Sequence, residues 1–366
     1  MPLRHIRVLD LTRLLPGPFA TMVLADFGAE VIKIEDPFLG DYARYFEPKI
    51  AGESAMFHSL NRNKSSCTLN LKEEQDRNTF LKMVEEADVV IESFRPGVMK
   101  RLGLDYDSLK KVNEKLIYCA ISGYGQTGPY KEKAGHDLNF IGYSGLLQLM
   151  GTGDRPPIVP ATTIADIGGG AQPAIIGILL ALFHRERTGE GQFVDISMLD
   201  GVLSWLQTVL PGYLNGGEEP SRGEQMLDGG SAFYNIYETK DERYLAVGAV
   251  EPKFWQTFCE TIGREDLIDK QLEPLDTQRE MYKEIQAIIR TKTLKEWSEI
   301  FEPLDACVSP ILTFSEVKEH PQIIKRDMIQ TITDEQRGSV NHIGPAIKLS
   351  KTPARLQSLA PEREIK

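Results

Sequence analysis

The sequence predicts an α/β fold: a large domain on a parallel sheet, followed by a smaller α+β domain. Three observations carry this. Short β-type runs at 6–11, 30–35 (EVIKIE), 88–92 and 115–122 (KLIYCAIS) alternate with helical patterns at 19–27, 72–87 and 106–112. Strands alternating with helices make parallel sheets with right-handed crossovers. From about Gly201 the texture changes to a β-like pair of runs followed by three helical runs, and the 366 residues suit roughly two domains.

Each element has a local reason. Residues 14–18 (LLPGP) read as a loop, and the helix 19–27 is closed by Gly28, because glycine ends helices in the left-handed conformation. A linker rich in proline, glycine and charge spans 36–54. In the second domain a helix at 202–214 precedes a Gly- and Glu-rich loop at 215–230. Strands at 234–238 and 243–250 follow, then helices at 253–262, 279–290 and 294–301. Residues 305–312 (DACVSPIL) read as a strand returning toward the first domain. The chain ends in a polar tail over 344–366.

Composition narrows the function. A net charge of −11 argues against general nucleic-acid binding, although local arginines can still hold an anionic ligand. No apolar run reaches the roughly 18 residues of a membrane span. The opening residues enter a strand-like run at once, so no leader and a cytoplasmic location are expected. Four scattered cysteines with no CxxC spacing fit reduced thiols and argue against a disulfide framework or a zinc site.

In a parallel sheet, ligands belong at the carboxyl ends of the strands. Those ends carry Arg13 and Pro16-Gly17-Pro18, then Ser93-Phe94-Arg95-Pro96-Gly97, then the loop 123–129 with Gly125. Each loop alone could be a plain turn, but three at one edge make a site. No GxGxxG follows the first strand, so this is not a dinucleotide fingerprint. Arg62 and Lys64 stand nearby and could pair with a phosphate; a solvated loop is their plain alternative.

The proton chemistry centres on residues 134–170. His136 lies in Gly135-His136-Asp137, and histidine exchanges protons most readily near neutrality. A histidine satisfied by a backbone carbonyl is the plain alternative. Asp166 precedes Gly168 to Gly170 and an apolar helical run. An aspartate there is an ordinary N-cap, but glycines after it let a ligand approach the first amides, where an anion is stabilised. Glu251, before a helix in the second domain, could orient a histidine or simply start the helix. Together these residues point to a carbon acid or acyl group reacting through an enolate-like anion, with histidine on one face and aspartate on the other.

The motifs LPGP, LADFGAEVIKIE, IESFRPGVMKRLGLDYDSL, SGYGQTGPY, AGHD, ADIGGG, RTGEGQFVDISMLDG and AVGAVEPKFW resemble the family III CoA-transferase superfamily, and within it the α-methylacyl-CoA racemase branch. The resemblance runs from Ile6 to about Pro321. It implies an interlocked homodimer. Each chain would have a Rossmann-like CoA-binding domain over 1–200, completed by 320–366, and a small domain over 201–319. It implies an acyl-CoA substrate and no tightly bound cofactor; no His/Cys/Asp cluster at ligand spacing suggests a metal, and charge and hydropathy speak against nucleic acid and membrane as partners. By the same resemblance His136 and Asp166 form the acid/base pair that epimerises a 2-methylacyl thioester, and Glu251 supports the histidine from the other subunit. CoA contacts fall to Arg95, Gly125, Gly168 and Gly169. Asp36 stands where racemases can place a phosphate-binding arginine, so Lys33 or Arg62 is expected to take that part. A CoA-transferase with Asp166 as nucleophile is the alternative; a non-catalytic CoA-binding protein is disfavoured by the full set of His136, Asp166 and Glu251.

Overall fold

Runs too short for stable helices form six parallel strands: β1 (Arg7–Asp10), β2 (Glu30–Glu35), β3 (Lys64–Thr68), β4 (Val89–Glu92), β5 (Ile117–Ser122) and β6 (Phe193–Ser197). The structure, a computed structural model, describes residues 1–363, so the end of the expected polar tail lies outside the described residues. The strands lie in the order β3-β2-β1-β4-β5-β6, every neighbouring pair parallel. β4 and β5 are buried along their whole length, as central strands covered on both faces must be. The order reverses between β1 and β4, and the crevice outside those two carboxyl ends is where such sheets bind ligands.

Helices fill the crossovers. The first, α1 (Pro16–Asp26), starts earlier than the expected loop allows, because prolines are tolerated where first-turn N–H groups lack partners anyway. Gly28 follows it at φ +102°. Next come α2 (Ala55–Asn61), α3 (Glu74–Glu85) and α4 (Asp137–Tyr143). A π-helical turn, Ala165–Ala171, then runs straight into α5 (Gln172–Thr188), and α6 (Met198–Leu203) follows β6. The joined helix Ala165–Thr188 is long and apolar enough, by length and composition, to cross a bilayer, although half of it is buried in the fold. No unbroken apolar run marks it, because Asp166, Gln172 and His184 to Arg187 interrupt the apolar sequence without interrupting the helix.

Two strands depart from expectation. β3 (KSSCT) is too polar to read as a strand, yet it pairs with β2 from Val31↔Lys64 to Glu35↔Thr68. Lys64 is therefore in the sheet, not in a solvated loop. β6 closes the other edge against β5.

The chain packs as two compact units. One holds Met1–Ser144, Pro160–Trp205 and the segment from Pro321 onward; the other holds Gly145–Val159 and Leu206–His320. The second unit has a three-stranded antiparallel sheet of β7 (Tyr234–Glu238), β8 (Tyr244–Gly248) and β9 (Val308–Pro310), with β8 central. β9 thus stays in this unit and does not return to the first. Against the sheet lie α7 (Pro252–Thr261), α8 (Leu275–Ile289) and α9 (Leu294–Phe301), amphipathic helices whose apolar faces bury Trp255, Phe258, Met281, Ile285, Trp297 and Phe301. Both buried indoles find acceptors, Trp255 on Leu267 O at 3.0 Å and Trp297 on Ile289 O at 2.7 Å, as buried N–H groups require.

Candidate active site

The loops leaving β1, β4 and β5 meet over a cavity of about 430 Å³. Arg13, Leu14 and Pro16 come from the first loop, Ser93 to Pro96 from the second, and Ile121 to Gly123 from the end of β5. Lys131, Lys133, His136, Asn139, Asp166 and Met198 complete the wall. All belong to the first unit, and the site lies where the strand order reverses.

Buried charges hold the first loop from beneath. The Asp10 carboxylate accepts the Thr12 amide at 2.9 Å, the Thr21 hydroxyl at 2.6 Å and the Lys64 ammonium at 3.1 Å. Burial disfavours the Asp10 anion, but Lys64, Lys33 and the hydroxyls hold its carboxyl well below the usual range. Asp41 accepts the amide of Leu14 at 3.0 Å. Leu14 has φ +63°, a left-handed conformation that costs a non-glycine residue energy and persists only when its surroundings impose it.

His136 is set by packing on its neighbours. The ring of Phe140 lies between Gly123 and Gly135; a Cβ at either would stand 2.4 or 2.7 Å from it. This is why glycine precedes the histidine, and it ties the start of α4 to the end of β5. The His136 amide donates to Asn139 Oδ1 at 3.0 Å, and the residue lines the cavity. Lys133 is steadied by Tyr130 and Tyr143, with its ammonium 4.4 and 4.7 Å from their ring centroids.

Asp166 lies in the first turn of the π-helical segment. Asp137, beside His136 in the chain, accepts the amides of Ala165 and Asp166 at 2.6 and 3.0 Å. One aspartate thus joins the two elements that carry His136 and Asp166. Burial pushes the Asp166 carboxyl up to about 6, the Asp137 carboxylate adds to the rise, and His136 opposes it. A carboxyl poised there can hold or release a proton near neutral pH.

The other expected site residues fall differently. Arg95 lines the cavity and is exposed. Lys33 is 0% exposed, with its ammonium 2.8 Å from Asp41 and 2.9 Å from Thr12 O. Arg62 is 3% exposed and grips Asp26 at 2.7 and 3.0 Å. Both charges are spent inside the fold, where losing a partner would strand a buried ion, so neither is presented to a CoA phosphate. Gly125, at φ +80°, turns its loop so that the Gln126 amide meets Asp195 at 3.1 Å; Gly123, two residues earlier, lines the cavity instead. Gly168 and Gly169 are buried, and Cβ atoms there would fall 1.9 Å from the Trp205 ring and 2.5 Å from Met198 O. They permit close packing of α6 and of Trp205 beyond it rather than ligand approach, and the amides at the start of their helix belong to Asp137. Glu251 lies in the second unit, exposed, at the start of α7 without capping it.

Sequence reasoning passed over Lys131 and Lys133, which follow the SGYGQTGPY loop, and gave no role to Arg13. With Arg95 they face a single carboxylate, Asp166, so the cavity is cationic in a chain of net charge −11. The available signal was position: each lies beyond the carboxyl end of a central strand. A second cavity, about 310 Å³, adjoins the edge of β1, β2 and β4. Leu11, Ile34, Leu69, Leu71, Phe94 and Leu102 make its apolar walls, and Arg13, Lys72 and Arg101 supply cations. Among the described residues no three His, Cys, Asp or Glu side chains group as metal ligands would.

The model of CoA-transferase family III matches residues 3–364. An alpha-methylacyl-CoA racemase of Mus musculus is 40% identical over 359 residues, spanning 97% of this chain and 88% of its own. A succinyl-CoA:glutarate CoA-transferase of the same organism is 34% identical, spanning 96% of this chain and 81% of its own. Among solved structures, a CAIB/BAIF family protein from Brucella suis superposes with a TM-score of 0.86 at 30% identity, covering 100% of this chain and 97% of that one.

Proposed function

We propose, from the premise that the chain belongs to CoA-transferase family III, that it epimerises 2-methylacyl-CoA thioesters by removing and returning the α-proton. Its relatives are racemases and CoA-transferases, so an enzyme of acyl-CoA chemistry is the premise and the racemase is our reading. The observation that carries it is one cavity lined by both His136 and Asp166, with the aspartate raised to about 6. The thioester acidifies the α-carbon. One of the two side chains takes the proton, the negative charge passes to the enolate oxygen, and the other delivers a proton to the opposite face. Arg95, Lys131 and Lys133, which line the same cavity, make the field around that anion favourable. Contacts to the distant CoA portion supply binding energy for positioning, and the second cavity, with apolar walls and Arg13, Lys72 and Arg101 beside Glu35 and Asp36 in its lining, suits its adenosine end. CoA enters as part of the substrate.

We take the active form to be a homodimer. Ile176, Leu179, Leu180 and Phe183 on α5 are all exposed; their spacing puts them on one helix face, and such a stripe calls for a partner. In that dimer Glu251 of the partner subunit would orient His136.

The test is incubation with a single 2-methylacyl-CoA enantiomer in D₂O, following the α-carbon by NMR. Deuterium incorporation with loss of optical purity supports the reading. CoA transfer to an added carboxylate through a trappable aspartyl thioester, with no exchange, favours the second reading, for which the 34% identical CoA-transferase speaks. His136→Ala separates them, because proton exchange needs the imidazole and acyl transfer through Asp166 does not.

A further inference from the structure

We infer that Arg13 receives the pyrophosphate of the CoA portion, with Asp36 as the residue that positions it; this rests on the acyl-CoA reading above. Among the described residues, only Arg13 and Phe94 line both the cavity with His136 and Asp166 and the apolar second cavity. A CoA thioester has its pyrophosphate between the adenosine and the pantetheine arm. If the adenosine fills the second cavity and the acyl carbon meets His136 and Asp166, the pyrophosphate crosses the junction, and Arg13 is the charge standing there.

Arg13 is built to receive an anion. Its Nη2 donates to Asp36 at 2.9 Å and its Nη1 to the Tyr42 hydroxyl at 3.3 Å. The guanidinium lies 5.5 Å from the Tyr42 ring centroid and 5.6 Å from that of Phe94. These two bonds occupy two of the five N–H donors of a guanidinium, and the side chain is 28% exposed, so it is held yet reachable. Asp36 is itself fixed, accepting the amides of Phe38 and Leu39 at 2.9 Å each. The Arg13 amide donates to Ser93 Oγ at 3.3 Å, tying the β1 loop to the β4 loop across the crevice. A planar fork pre-oriented in this way suits two phosphate oxygens better than a flexible ammonium does. Lys33 and Arg62, both paired internally, offer no such donors to solvent. Arg13 thus takes the place of the phosphate-binding arginine that Asp36 displaces from the sequence.

The experiment titrates CoA, dephospho-CoA and pantetheine into wild type, Arg13→Ala, Arg13→Lys and Asp36→Asn by calorimetry, beside kinetics with a 2-methylacyl-CoA and the matching acyl-pantetheine. Arg13→Ala should weaken CoA and dephospho-CoA alike by ~10–100-fold, the scale of a lost charge-assisted contact. It should raise KM far more than it lowers kcat, and harm the CoA ester far more than the pantetheine ester. Arg13→Lys should recover part of the loss, and Asp36→Asn should show a smaller rise in KM. Wild-type affinity for CoA in Arg13→Ala would overturn the inference while leaving the acyl-CoA reading intact. So would a loss confined to CoA and absent with dephospho-CoA, which would assign Arg13 to the 3′-phosphate, or equal damage to both esters, which would make it structural. A wild type that binds no CoA would overturn both.

Discussion

Asp137 Oδ1 accepts the backbone amides of Ala165 and Asp166 at 2.6 and 3.0 Å. The neighbour of one proposed proton carrier therefore fixes the backbone of the other, and its charge acts on the Asp166 carboxyl. Asparagine at 137 can keep the accepting oxygen and remove the charge. Burial, the larger cause of the raised Asp166 carboxyl, remains, so Asp137→Asn should move that carboxyl only part of the way down from about 6. The acidic limb of kcat/KM should shift to lower pH by a fraction of a unit. Asp137→Ala removes the cap as well and should cost about 1 kcal/mol of stability. A pH–rate profile that does not move in Asp137→Asn would separate Asp137 from the tuning of Asp166.

The raised Asp166 carboxyl makes a second prediction, about stability. Its folded value of about 6 lies above that of an ordinary aspartate, roughly 4, so the native state binds more protons than the unfolded chain between those values. Stability is then lost as pH rises through that window. Asp166→Asn, neutral at every pH, should be inactive in proton exchange yet more stable than wild type at pH 7.5, by roughly 1–3 kcal/mol. The advantage should vanish near pH 4. Thermal melts of the two proteins across pH 4–8 measure it, and a constant difference would contradict the assignment. The gain in stability with loss of function is the trade-off expected of a site built to keep a carboxylate desolvated.

The central strands were legible because Val89–Glu92 and Ile117–Ser122 are buried on both faces and must be apolar. The edge strand Lys64–Thr68 was not. Its polar residues face internal partners, and an ammonium buried against Asp10 at 3.1 Å has the same letter as a solvated one. Lys33 and Arg62 misled for the same reason: sequence reports a charge but not where its counter-charge lies. Residue type and context singled out His136 and Asp166, which the fold brings to one cavity. That Gly168 and Gly169 serve helix packing could not, since a glycine spaced for a ligand and one spaced for a neighbouring backbone look alike. Arg13 went unassigned because its value depends on Asp36, Tyr42 and Phe94, which come together only in the fold.

The contact between α6 and the Asp166 helix gives a packing prediction. A Cβ on Gly201 would stand 2.0 Å from the carbonyl oxygen of Gly169. That neighbour is backbone, so the helix must move as a whole. Gly201→Ala should cost ~1–3 kcal/mol, the usual range for overpacking, and should lower kcat by displacing Asp166. Gly189, at φ +78° with open space around it, is a contrasting site: alanine there is strained by its backbone, far along the helix from the cavity. Gly189→Ala should therefore lower stability without a matching fall in kcat per folded molecule. Equal kcat losses in the two variants would show that the packing at Gly201 does not control the site.

The exposed stripe on α5 bears on assembly. Ile176, Leu179, Leu180 and Phe183 are 58%, 41%, 64% and 56% exposed, spaced three, four and seven residues from the first. An apolar row at that spacing is what one helix offers another at an interface. Leu180→Glu puts a charge in the middle of it. In an isolated chain the position is open to water, so the substitution should change folding stability by less than about 0.5 kcal/mol. Across a dimer interface it would bury an unpaired carboxylate on each side and should shift the protein to monomer at micromolar concentration, with loss of activity if the partner's Glu251 supports His136. Light scattering on wild type and variant, with activity read at the same concentrations, tests both steps. A wild-type protein that runs as a monomer removes the dimer outright. A dimeric Leu180→Glu moves the interface elsewhere on the molecule.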